Sequence, residues 1–75
     1  MSIYAEMVDK LAVEVLAVAE EIGDDRLPET IAQTIGASSP TTEELFRTAI
    51  RVRMALARAE KTLAEARARH AGAGS

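Results

Sequence analysis

The sequence predicts an all-α fold: two long amphipathic antiparallel helices, at about 3–22 and 42–69, joined by a short helix at about 28–35. Three observations predict it. Apolar residues recur at alternating spacings of four and three over 3–22 and again from 45 onward, the a/d seam of packed helices. Glycine-containing breaks at Gly23-Asp24-Asp25 and near Gly36 divide the chain into helix-sized pieces. Thr41-Thr42-Glu43-Glu44 matches the S/T-x-x-E capping box immediately before the second long apolar pattern.

In the first helix the seam is Tyr4, Val8, Leu11, Val15, Val18 and Ile22. Ile3, Met7, Ala12, Leu16 and Ala19 widen it, which suits contact with more than one neighbour. Gly23 closes the helix, and the Asp pair marks a turn. Pro28 opens the short helix at a position where its missing N–H does no harm. Ile31 and Ile35 share one face there, and so short a helix must dock them on the long ones. With Thr41 as N-cap, the last helix carries the seam Leu45, Ala49, Val52, Leu56, Ala59, Leu63 and Ala66. Phe46, Ile50, Met54 and Ala57 form a second stripe beside it. Residues 1–69 read as a single helical domain, and the Gly/Ala-rich residues 70–75 as a disordered tail.

A 75-residue chain with no Cys has neither disulfides nor a thiolate zinc site to supplement a small core. Helix packing, oligomerisation or a partner must do so. Both long helices show a second apolar stripe, so the expectation is a helical hairpin or three-helix unit that dimerises into a four-helix core. Charge is segregated. Residues 1–44 carry ten acids and two bases, a net of −8, whereas 45–75 carry seven bases and two acids, a net of +5. An acidic helix beside a basic one selects orientation more than it adds stability. No basic leader and no run of about 20 apolar residues is seen, so the sequence is read as that of a soluble cytoplasmic protein.

Four features bear on function. Thr30-Ile31-Ala32-Gln33-Thr34-Ile35-Gly36-Ala37-Ser38 resembles the first helix and turn of a helix-turn-helix motif. The reader that follows departs from it: Pro40 interrupts its start, the turn is long if Thr41 is the cap, and Glu43 and Glu44 would face phosphates. That weighs against nucleic acid, whose binding draws on Lys and Arg. Arg47, Arg51 and Arg58 share a flank of the last helix and form a candidate interaction surface with Leu56 and Leu63. The acids Glu20, Glu21, Asp24 and Asp25 lack the spacing of a calcium loop and read as a helix end and turn. His70, the one histidine, falls in the expected tail, where nothing positions it for catalysis.

No cofactor motif, phosphate loop or nucleophile elbow occurs, so no enzyme, no cofactor and no metal site is expected. The sequence therefore points to a small non-catalytic helical protein–protein interaction or oligomerisation module, in the first place a homodimer. The alternatives are a helix-turn-helix-like nucleic-acid-binding regulator and an accessory subunit of a larger complex.

Overall fold

The computed structural model describes residues 2–74, which form three helices: α1 (Ile3–Ile22), α2 (Leu27–Gly36) and α3 (Pro40–Gly74). The all-helical three-helix unit expected from the sequence is present. Each boundary has a local chemical cause. Ser2 has extended backbone, and its hydroxyl accepts the Ala5 N–H at 3.1 Å, capping α1. Gly23 ends α1 in the left-handed region, at φ 66°. There the Asp24 N–H reaches back to the Ala19 carbonyl at 2.9 Å, the six-to-one bond of a Schellman ending. The Asp24 carboxylate then accepts the Arg26 N–H at 2.9 Å, which turns the chain into α2.

The start of α3 differs from the expected capping box. Ser39, not Thr41, is the N-cap: its carbonyl accepts the Glu43 N–H at 3.0 Å and its hydroxyl the Thr42 N–H at 3.2 Å. Pro40 is then the first helical residue, where a fixed φ is pre-set and no N–H is missed. The expected box placed Pro40 outside the helix and so wasted this preference. The far end differs too. The helix continues through Gly74, whereas the sequence suggested an end at 69 and an irregular tail over 70–75. Alanine and arginine are strong helix formers, and Ala66 to Ala71 contain no proline to stop propagation. Ser75 lies outside the described residues.

The two long helices meet over a limited stretch. The first half of α1, at Ala5, Val8 and Asp9, borders Leu45, Ala49 and Val52 on one flank of α3. The second half, at Leu16 and Ala19, borders Met54 on the other flank. Thus α1 passes from one flank of α3 to the other. The overall extents of 56 × 31 × 14 Å fit this description. At 1.5 Å per residue α3 is about 52 Å long and α1 about 30 Å, so a crossed α1 supplies the width. The docked α2 wedges against both, and alanines at the contact let the backbones approach.

The core is small. Ala12, Val15, Ala32, Phe46 and Ile50 are buried, and Val8, Leu16, Leu27, Ile31, Ile35 and Ala49 pack around them. Phe46 is fully enclosed (0% exposed) and is the centre of the fold. Beyond Arg53 every described residue up to Gly72 is exposed, Met54 the first of them at 42%. About 20 residues of α3, roughly 30 Å of helix, therefore project from the body.

Candidate interaction surface

The core assigns the two stripes of α3 to opposite fates. The stripe of Phe46 and Ile50 faces α1 and α2. The heptad seam is left uncovered: Leu45 is 44% exposed, Val52 50%, Leu56 56% and Leu63 62%. The sequence had ranked them the other way, taking the seam as the main packing face. The reason is the crossing. A helix laid across α3 covers most fully the residues nearest the crossing point, Phe46 and Ile50, and leaves the seam residues on either side at its edge. A seam running lengthwise needs a partner running lengthwise. On α1, likewise, Val8 and Val15 are covered, while Tyr4, Leu11, Val18 and Ile22 of the expected seam stay exposed. The covered face of α1 is rotated towards Ala12, Leu16 and Ala19.

The arginines divide at the same point on α3. Arg47 pairs with Glu29 of α2 and with Glu43 one turn before it, at 2.7 Å for the latter. Gly36 leaves room for this cluster, since a Cβ there would overlap the Glu43 carboxylate. Arg51 pairs with Glu44 at 3.1 Å. Arg53 holds Asp9 of α1 with two parallel hydrogen bonds, the first from Nε at 2.8 Å, which pins the crossing. The hydrogen bond from Arg53 holds the Asp9 carboxyl below its usual range, and that from Arg47 does the same for Glu29. Both guanidinium groups are pushed further towards the charged form. Beyond the crossing, Arg58, Lys61, Arg67 and Arg69 make no ion pair among the described residues.

Of the residues singled out from sequence, Arg47 and Arg51 are therefore engaged within the chain, while Arg58, Leu56 and Leu63 lie on the projecting segment. Asp9 and Arg53 were not among the candidates. Their signal was present as an Asp on the acidic helix and an Arg beside the Phe46 stripe, but only the crossing brings them together. Groove-like depressions flank the crossing. One with a largely apolar lining lies between α1 and α3, along Val8, Leu45, Ala49 and Val52, with a volume of about 400 Å³. Among the described residues no group of three or more His, Asp and Glu side chains is placed to hold a metal ion, and the acids at 20–25 form no such cluster. Nor is any described helix long and apolar enough to cross a membrane.

Nothing matches. No protein-family model, curated protein or solved structure matches the chain. The geometry alone has to carry the functional argument.

The amount of exposed surface is the quantity that decides what kind of geometry this is. A compact monomer of 8.0 kDa is expected to expose about 4,450 Å². This chain exposes 5880 Å². Its radius of gyration is 16.1 Å, against about 11 Å for a compact chain of this length. A standard protein interface covers about 800 Å² on each partner, so the excess surface is large enough to supply one.

Proposed function

We propose that this protein is a non-catalytic helical oligomerisation module whose α3 seam docks a second copy of the chain. The observation that carries the reading is the row Leu45, Val52, Leu56 and Leu63, exposed on one side of a helix whose other side already holds the core. Apolar residues scattered on a surface need no explanation, but a contiguous row at heptad spacing is an interaction face. Charge favours self-association over a one-sign partner, because each copy offers an acidic body and a basic projecting helix.

The experiment is solution mass by light scattering over a concentration series, for the natural chain and for Leu56→Asp. A mass near twice 8.0 kDa that falls to one chain in the variant, with helix content retained, is the expected result. Because Leu56 lies outside the core, this substitution acts on association and not on folding of the body. A single-chain mass for the natural protein at every concentration would sink the proposal and redirect attention to a different protein as partner.

A second reading keeps one supporting observation. With Ser39 as the cap, only residues 37–39 separate α2 from α3, a linker of the length found in helix-turn-helix units. Against it, the arginines nearest the start of α3 are neutralised by Glu29, Glu43 and Glu44. A regulator of this type would retard duplex DNA at low salt, and loss of retardation in Arg47→Gln and Arg51→Gln variants would mark the contact.

A further inference from the structure

We infer that two copies pair through antiparallel α3 helices, so that the projecting end of each lies in the α1–α3 groove of the other. This rests on the self-association just proposed and adds its direction and register. Two observations set the direction. The first is charge. Residues 1–53, which make up the body, carry ten acids and five bases, whereas residues 54–75 carry four bases and two acids. Parallel helices would set basic end beside basic end and acidic body beside acidic body. Antiparallel helices bring the unpaired Arg58, Lys61, Arg67 and Arg69 of one copy to the acidic body of the other. Asp9, already paired with Arg53, is the carboxylate that lines the groove itself.

The second observation is continuity. The groove between α1 and α3 is walled by Leu45, Ala49 and Val52, which are the first three residues of the seam. A helix laid along the seam from Leu56 therefore runs into the groove without changing direction. In antiparallel coiled coils a positions of one helix face d positions of the other. Leu56 then meets Ala59 of the second copy, Val52 meets Leu63, and Ala49 meets Ala66. Leu56 faces a small side chain, Val52 and Leu63 face each other where the seam enters the groove, and Leu45 falls opposite His70. On the flank, Glu60 of each copy comes level with Ala55 of the other, two residues or about 3 Å along the axis from Arg53.

The chain has no Cys, so a single nitroxide label can be placed at Ala68→Cys, on the side of α3 away from the seam. In the proposed register residue 68 lies level with residue 47 of the second copy. The axial offset is 21 residues, about 31 Å at 1.5 Å per residue. Pulsed electron resonance on the dimer is expected to give a spin–spin distance beyond about 30 Å, since the helix separation of about 8–10 Å adds to the offset. A distance within about 25 Å would mean parallel helices, and would overturn this inference while leaving the oligomerisation reading intact. Absence of dipolar coupling together with a one-chain mass would remove both. A second variant, Arg67→Glu with Arg69→Glu, checks the charge argument by another route. It is expected to weaken the dimer up to about tenfold at low salt, and an unchanged or tighter dimer contradicts the antiparallel placement.

Discussion

Phe46 and Leu56 lie on the same helix and differ most sharply in what surrounds them. Phe46 is 0% exposed and sits where α1, α2 and α3 meet, whereas Leu56 projects past the crossing at 56% exposed. Truncating a fully buried Phe to Ala removes its transfer free energy and leaves a cavity, a cost of about 3–5 kcal/mol. A chain of this length has a total stability of about 4–11 kcal/mol at the usual 0.05–0.15 kcal/mol per residue. Phe46→Ala therefore removes a large part of the stability of the body. Leu56→Ala, at a concentration where one chain is the dominant species, loses little packing and keeps good helix propensity, so its effect stays within about 0.5 kcal/mol. Urea denaturation followed by circular dichroism at 222 nm checks both. Raising the protein concentration separates them further. The Leu56→Ala cost should grow with concentration as the dimer becomes populated, since a partner stabilises by mass action. The Phe46→Ala cost should not. Equal costs for the two variants in dilute solution, or a Phe46→Ala cost below about 1 kcal/mol, would refute the division of α3 into a core stripe and an association stripe.

Two further outcomes follow from the local geometry. Ser39→Ala should cost about 1 kcal/mol and Thr41→Ala almost nothing, because Ser39 alone caps α3, and the same urea titration distinguishes them. Asp9 and Glu29 are held below their ordinary values near 3.8 and 4.5 by Arg53 and Arg47. A depressed carboxylate contributes stability that is complete above its unfolded pKa and lost as pH falls through the folded value, so melting temperature should drop below about pH 4. The double variant Asp9→Asn, Glu29→Gln should flatten that acid limb in thermal melts, and an acid limb of unchanged steepness would show that these pairs are not its source.

Helix number, the breaks and the two apolar stripes of each long helix were legible in the sequence because they depend on local spacing and on Gly23, Pro28 and Gly36. Which stripe becomes core was not. Phe46 and Ile50 were read as the flank and Leu45, Val52 and Leu56 as the seam, since heptad spacing describes how helices pack side by side. The chain uses a crossing, for which regular spacing along α3 is irrelevant and one large residue at the crossing point suffices. Arg47 and Arg51 belong to the candidate interaction flank, and the sequence does not show that they are paired. Their acid partners are at 29, 43 and 44, and α2 must be docked before Glu29 comes into reach. The capping difference has a simpler origin. Ser39-Pro40 and Thr41-Thr42-Glu43-Glu44 both carry N-terminal signals, and proline at the first helical position decides between them.

The projecting half of α3 is where sequence and structure bear on the same question. An isolated helix of about 20 residues is marginal in water unless propensity or side-chain pairs sustain it. Here alanine supplies the propensity, but Lys61, Glu65 and Arg69, at i, i+4 and i+8, form no ion pairs among the described residues. A helix shaped only for solvent would gain nothing from placing Leu56 and Leu63 one heptad apart on the same seam as Val52. Burial of such side chains contributes about 1.5–3 kcal/mol each, far more than a surface ion pair. The seam thus has the larger energetic stake in being covered, and the proposed antiparallel second copy would cover it with a face of the same length.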